Sequence, residues 1–178
     1  NIVGLPLQVE DASQTNLFPN SVGGTLYGFD GSYYNAEELI NGNGYWLYFN
    51  EQGEVEIEGM NIEQITISLT QGWNLISGIT LPVNLETIDD PGDILVAGTI
   101  YGFDGSYFNP AFLTPGMGYW AYASSSGNIT ISGGGVLVKT KSMFAPPSDG
   151  SNTITIENQT LYFGKVVSED NLFSYQLP

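Results

Sequence analysis

Aromatic side chains that stand close to acidic and amide groups are the residues of this chain whose types and spacing suggest chemistry. They fall in two short stretches, one near residue 30 and one near residue 104. Exposed aromatic faces stack on sugar rings, and neighbouring oxygens can bind sugar hydroxyl groups. The predicted glycan contacts are Asp30, Tyr33, Tyr34, Asp104, Tyr107 and Phe108. The alternatives are that these rings build a hydrophobic core, with their hydroxyl groups satisfied at its edge, or that they form a surface that contacts another protein.

A second candidate site is an acidic loop that contains Asp89, Asp90 and Asp93. Carboxylate oxygens on loops are the ligands that Ca²⁺ prefers, although the spacing is not that of a helix-loop-helix calcium site. Asp and Gly are also common in tight turns, so a purely structural loop is the alternative. We therefore treat these three residues as candidate calcium ligands and predict no other cofactor.

Catalysis is disfavoured by the residue types that the chain lacks. It has no His to act as a base near pH 7 and no Cys to act as a nucleophile. A pair of carboxylates could hydrolyse glycosides, but the acids fall in turns and on the alternating face of Glu54–Glu58. The sequence therefore predicts a protein that is not an enzyme and has no catalytic residue.

The elements that must position these residues occur twice along the chain. The run Tyr-Gly-Phe-Asp-Gly-Ser-Tyr begins at Tyr27 and again 74 residues later at Tyr101. Gly44-Tyr45-Trp46 returns with the same offset at residues 118–120. Short β-branched and aromatic runs between Gly-rich turns favour strands. The chain is therefore predicted to contain two copies of one β-rich unit.

The predicted fold is all-β, with two tandem small antiparallel β-sandwich or barrel-like units and a C-terminal β-hairpin segment. We define the first unit as residues 1–59, the second unit as residues 60–133 and the C-terminal segment as residues 134–178. The tryptophans predicted to hold the sheets together are Trp46, Trp73 and Trp120.

Several local elements follow from alternation and turn chemistry. Glu54–Glu58 alternates strictly, which predicts a strand with one buried face. Residues 94–103 are predicted to form a second strand. Asn35 and Asn109, the latter followed by Pro, look like helix caps, so each unit is predicted to contain one helical turn there. The chain end at residues 175–178 is predicted to begin a linker.

The first unit lacks part of the repeated pattern. Asn1 aligns with Asn74, and the Gly-Trp pair that precedes Asn74 has no counterpart before Asn1. The first unit is therefore expected to be truncated at its N-terminus. One hypothesis is that a strand from a preceding domain or from a neighbouring molecule completes it by strand addition.

The repeated motifs also resemble a known group of proteins. Gly72–Ser77, Tyr101–Gly105 and Gly118–Trp120 resemble a tandem repeat of large secreted bacterial surface proteins of the Bacteroidetes type, many of which are exported by the type IX system. The resemblance implies an extracellular or cell-surface location. It also implies an accessory or stalk module within a longer multidomain protein.

Charge narrows the range of partners. The formal net charge is −16, and the only basic side chains are Lys139, Lys141 and Lys165. Such a surface repels phosphate backbones and anionic lipids, so neither nucleic acid nor membrane insertion is expected. The expected partners are neighbouring domains of the same parent protein, copies of the chain itself, or a polysaccharide.

These observations predict a non-catalytic structural or adhesive module that spaces or attaches other domains and could assemble with itself. The first alternative is a carbohydrate-binding module of a secreted enzyme that acts on polysaccharide. The second alternative is a subunit of an extracellular filament.

Overall fold

Short antiparallel strands make up almost all of the regular structure. The computed structural model describes residues 1–51 and 53–134 in full, and residues 153–156, 159–162 and 172–176 as backbone strands. Every strand pair in these ranges is antiparallel, which confirms the all-β prediction. The strands are β1 Ile2–Gly4, β2 Leu7–Gln8, β3 Tyr27–Phe29, β4 Tyr33–Asn35, β5 Gly44–Trp46, β6 Glu54–Glu58, β7 Met60–Asn61, β8 Gln64–Leu69, β9 Gly72–Ser77, β10 Val83–Asn84, β11 Gly102–Asp104, β12 Ser106–Phe108, β13 Phe112–Leu113, β14 Gly118–Ala123, β15 Gly127–Ser132, β16 Thr153–Ile156, β17 Gln159–Tyr162 and β18 Leu172–Gln176. The helical turns are α1 Gln14–Leu17 and a 3₁₀ helix at Leu85–Thr87.

The two units share their central strand pairing and the hairpin beside it. β1 pairs with β5 so that Ile2 faces Trp46, and β9 pairs with β14 so that Leu75 faces Trp120. The hairpin of β3 and β4 in the first unit corresponds to the hairpin of β11 and β12 in the second. The repeat in sequence is therefore also a repeat in topology.

Each unit has its own hydrophobic core. Strict alternation puts Val55 and Ile57 inside and leaves the three glutamates of β6 exposed, as the pattern predicts. The buried core of the first unit consists of Val3, Leu5, Leu7, Leu17, Phe18, Leu26, Leu39, Tyr45, Leu47, Val55 and Ile57. That of the second unit consists of Ile67, Leu69, Ile76, Ile79, Val83, Ile94, Leu113, Tyr119, Ala121, Ala123, Ile129 and Ile131. Neither set of buried residues contains a member from the other unit.

Reciprocal backbone hydrogen bonds join the two units. The Gly4 N–H donates to the Gly116 carbonyl at 3.0 Å, and the Ser77 N–H donates to the Gly42 carbonyl at 2.9 Å. Gly4 and Ser77 hold equivalent positions in β1 and β9, and Gly42 and Gly116 are 74 residues apart. A pair of equivalent contacts in opposite directions is what a two-fold axis produces. The units are therefore related by an approximate two-fold axis within one chain.

The axis passes close to two glycines whose backbones almost touch. A Cβ placed on Gly44 would lie 2.6 Å from the Ile76 carbonyl oxygen, and one on Gly118 would lie 2.8 Å from the Val3 carbonyl oxygen. The same Cβ atoms would lie 3.4 Å and 3.2 Å from the Cα of the facing glycine. Because these neighbours are backbone atoms, only glycine allows the approach at these two positions.

The prediction of a helical turn at Asn35 and at Asn109 is wrong. Asn35 ends β4 instead of beginning a helix, and its side-chain amide donates to the carbonyls of Gly24 and Leu26 at 2.7 Å and 3.4 Å. Asn109 makes the equivalent bonds to Gly98 and Ile100. The asparagines tie each hairpin back to the loop before it, and that bonding takes the place of a helix cap.

Two other sequence-based predictions also need correction. The strand predicted for residues 94–103 reduces to β11, because Gly98 has a φ of 76° and the Thr99 N–H closes a turn onto the Val96 carbonyl. The linker predicted to begin at residue 175 is wrong in that Tyr175 belongs to β18, which pairs with β6. The C-terminal hairpin is present as β16 and β17, and the rest of residues 134–178 lies outside the described residues apart from Gly134 and β18.

A buried tyrosine supports each core at the same place. The Tyr45 hydroxyl accepts a hydrogen bond from the Ile40 N–H at 3.1 Å, and the Tyr119 hydroxyl accepts one from the Thr114 N–H at 2.8 Å. Burial raises the pKa of Tyr45 above its usual value, because the phenolate would lose hydration in the core.

The glycine contact leads to a first prediction. Gly44→Ala places a methyl group against the Ile76 carbonyl and should lower the free energy of unfolding by about 1–3 kcal/mol, as overpacking does. Gly23→Ala is the matched control, because nothing lies within 4 Å of a Cβ at that position. Urea denaturation of the two variants measures the difference. Equal midpoints for Gly44→Ala and Gly23→Ala would show that the units do not depend on this approach.

The buried tyrosine leads to a second prediction, on pH. The pKa of Tyr45 is raised in the folded state, so its contribution to stability is complete below about pH 10 and is lost as pH rises through the folded pKa. Tyr45→Phe removes that titration. The stability advantage of the wild-type protein over Tyr45→Phe should therefore be constant below about pH 9 and shrink above about pH 10. Unfolding curves across this range test it, and an advantage that stays unchanged at high pH would contradict it.

Candidate functional site

Five aromatic rings surround an open cleft at the junction of the two units. The cleft has a volume of about 480 Å³ and contains no charged side chain in its lining. Phe29 comes from the first unit and the other four rings come from the second. The lining residues are Phe29, Trp73, Tyr101, Tyr107 and Trp120. A cleft of this size and apolar lining is typical of a small-molecule or carbohydrate site.

The hairpin of the first unit carries Phe29 into the second unit. Phe29 ends β3 directly before the turn at Asp30–Ser32, where Gly31 adopts a φ of 71°. Its ring meets the ring of Trp120 edge to face, with centroids 5.0 Å apart. Phe103 makes the equivalent contact with Trp46 at 5.0 Å. The aromatic contacts thus follow the same two-fold axis as the backbone contacts.

Trp73 forms the exposed wall of the cleft. It lies on β9 with 42% of its surface exposed, and it packs against Trp120 and Tyr122 at 6.1 Å and 5.2 Å. The sequence predicts that Trp46, Trp73 and Trp120 hold the sheets together. Trp46 and Trp120 are half-buried and join the units, whereas Trp73 presents a large part of its ring to solvent and to the cleft.

The predicted glycan contacts are not brought together into one flat face. Tyr33 and Tyr34 follow each other in β4, so their side chains point to opposite faces of the hairpin. The Tyr34 ring covers Gly28, and the Phe108 ring covers Gly102. Tyr107 is 58% exposed and does line the aromatic cleft.

A second, more polar cavity of about 340 Å³ adjoins the aromatic cleft and shares Phe29 with it. Its lining takes side chains from both units, including Asp30 and Tyr34 from the first and Thr70 and Asn74 from the second. The side-chain amide of Asn74 already donates a hydrogen bond to the Thr70 carbonyl at 2.9 Å. The shared wall puts oxygen and nitrogen atoms beside aromatic rings. Asp104 lies in neither cavity.

The acidic loop is organised by its own backbone. The Asp90 carboxylate accepts hydrogen bonds from the Ile94 and Leu95 N–H groups at 3.1 Å and 2.8 Å. Asp89 pairs with Thr130 through its backbone, and Asp93 adopts a φ of 50°. Within the described residues, no three acidic, His or Cys side chains converge on a metal position. Calcium binding at Asp89, Asp90 and Asp93 therefore stays a prediction from sequence alone.

In comparisons with known proteins, no family model matches the chain, and neither a curated protein nor a solved structure matches it. Among the described residues, no helix has both the length and the apolar character needed to cross a membrane.

Sequence reasoning missed four of the five residues that line the aromatic cleft as ligand contacts. The sequence predicts Trp73 and Trp120 as packing residues and places Tyr101 in a strand, and Phe29 is not among the predicted ligand contacts. One signal for Phe29 and Trp120 is in the sequence, because each position is aromatic in both copies of the repeat. The pairing of Phe29 with the other copy's Trp120 depends on the two-fold axis, which the sequence does not display.

The bonding of Asp90 gives a third prediction. Asp90→Ala leaves two backbone N–H groups without their charged acceptor and should lower the free energy of unfolding by about 1.5–3 kcal/mol. Asp89→Ala is the control. Because Asp89 is exposed, its replacement should change the free energy of unfolding by no more than about 0.5 kcal/mol. Thermal unfolding of both variants with and without calcium measures the effect. A larger loss for Asp90→Ala only when calcium is present would instead indicate a metal site.

Proposed function

We propose that the chain is a non-catalytic attachment module that binds its ligand in the aromatic cleft. The observation that carries this proposal is the set of five rings from both units around an open, uncharged space of about 480 Å³. Exposed tryptophan and tyrosine rings cost free energy in water unless a partner covers them. Trp73 and Tyr107 are 42% and 58% exposed at this one place.

The ligand class that fits best is a neutral carbohydrate chain. The C–H faces of a sugar can pack on the rings of the cleft, and the adjoining polar cavity supplies Asp30, Thr70 and Asn74 for hydroxyl groups. The net charge of −16 disfavours acidic polysaccharides through repulsion. Attachment to glycan is also consistent with the extracellular setting that the resemblance to bacterial surface repeats implies.

Spacing of neighbouring domains is a second candidate function, and a different observation favours it. The reciprocal bonds from Gly4 to Gly116 and from Ser77 to Gly42 fix the two units against each other through the main chain. A junction made by backbone atoms resists bending more than one made by long side chains. A module built in this way could hold other domains at a set distance, and a calcium ion is not needed for that role.

A glycan-panel binding assay on the intact chain gives a fourth prediction. Neutral polysaccharides should bind saturably, and Trp73→Ala and Tyr107→Ala should each weaken binding about tenfold or more, the loss expected for a central aromatic contact. Tyr48→Ala is the matched control, because Tyr48 is 60% exposed but does not line the cleft. Circular dichroism should show the same strand signal for all three variants.

The other outcomes separate the proposals. Binding that survives both cleft substitutions would place the glycan site elsewhere. A complete lack of binding by the wild-type chain would leave spacing as the function. Displacement of a bound probe by choline would reassign the cleft to a cationic ligand, because perpendicular aromatic rings also surround quaternary ammonium groups.

A further inference from the structure

The edge of β6 is a second candidate interaction surface, and none of its residues lines the aromatic cleft. β18 pairs with β6 so that Phe173 faces Ile57, Ser174 faces Glu56 and Tyr175 faces Val55. In the second unit, β8 pairs with β15 so that Ile65 faces Ile131, Thr66 faces Thr130 and Ile67 faces Ile129. β6 and β15 are equivalent strands of the repeat.

The two pairings have the same direction and the same register. Val55 and Ile57 correspond to Ile129 and Ile131, so Tyr175 takes the position of Ile67 and Phe173 takes that of Ile65. β18 therefore occupies in the first unit the place that β8 occupies in the second. From Phe173 to Gln176, the alternation of apolar and polar residue types in β18 is also that of β8 from Ile65 to Ser68.

The two donor strands are tied to their acceptors very differently. β8 is followed by β9 of the same unit after only Thr70 and Gln71. In sequence, β18 is separated from the end of the second unit by residues 135–171, which include the β16–β17 hairpin. The effective concentration of a tethered strand at its binding edge falls as its connection lengthens. A strand on a long connection therefore competes for that edge with the same strand of other molecules.

We propose that the β6 edge accepts β18 of a second copy of this chain, so that copies join by strand exchange. The acceptor strand β6 has the alternating faces that an alternating partner strand matches. Val55 and Ile57 are 8% and 3% exposed, while its three glutamates face solvent. Main-chain pairing supplies the affinity in this mode of recognition, and alternate side-chain positions supply the register.

The exchanged contact is of the head-to-tail kind. The donor is β18 and the acceptor is β6, so the two partners use different surfaces of the same chain. When two copies exchange β18 reciprocally, the contact closes into a dimer, and when the exchange is not reciprocal it adds copies into larger rings or open chains. The partner that the β6 edge fits is therefore another copy of the chain.

Disulfide trapping between single-cysteine variants of the full chain tests the proposal. The chain has no native cysteine, so each introduced thiol is unique. Glu56→Cys and Ser174→Cys face each other in the register, and the equivalent Thr66 and Thr130 hydroxyl oxygens are 3.1 Å apart. The two variants, one with a mass tag, are unfolded together, refolded as a mixture and oxidised.

The expected result is a mixed Glu56→Cys/Ser174→Cys dimer whose share rises about tenfold or more between about 10 μM and about 1 mM, the range in which free and tethered donors compete. Thr130→Cys mixed with Ser174→Cys is the control for random collision, because Thr130 already faces Thr66 in the second unit. The double variant Glu56→Cys/Ser174→Cys, refolded alone at low concentration, shows whether β6 and β18 pair at all.

Each outcome decides the matter. A mixed dimer well above the Thr130→Cys control supports exchange between copies. A double variant that forms an internal disulfide, without any mixed dimer at about 1 mM, the tethered concentration scale, would overturn exchange and leave β18 as a fixed strand of its own molecule. A double variant that forms neither an internal nor an intermolecular disulfide would overturn the pairing on which the proposal rests.

Discussion

The close approach of two glycine backbones is the constraint on which the rest of the structure depends. Gly44 and Gly118 meet across the approximate two-fold axis, with the carbonyls of Ile76 and Val3 where side chains would otherwise stand. Because the units meet through their main chains, Phe29 reaches Trp120 in the opposite unit and Phe103 reaches Trp46. A wider junction would separate these rings and open the cleft. The contact that joins the units therefore also builds the candidate ligand site.

The proposed attachment role rests on two different surfaces, the aromatic cleft and the acidic side chains. The rings provide an uncharged patch at the junction, while residues 1–134 carry many acidic side chains and not a single basic one. In the proposed attachment role, long-range repulsion would disfavour anionic partners, and the rings would favour ligands with apolar faces. The proposed attachment role combines both properties, and neither requires a cofactor.

Local structure was predictable from sequence where one short pattern decides it. The alternation of Glu54–Glu58 gave the buried and exposed faces of β6 correctly, and the repeat gave the equivalent strands. The predictions failed where a distant partner decides: Asn35 bonds back to Gly24 instead of capping a helix, and residue 175 joins a strand against Val55. The aromatic cleft was missed for the same reason, because Phe29 and Trp120 lie far apart in sequence and come together only across the axis.

The approximate two-fold axis also limits how the molecule can grow. A self-complementary surface can be used once, and here the second unit already satisfies that of the first within a single polypeptide. The fused pair has therefore exhausted the interface that would otherwise make symmetric dimers of separate units. Any larger assembly must begin from a surface outside the axis, and in the proposed strand exchange that surface is the edge of β6.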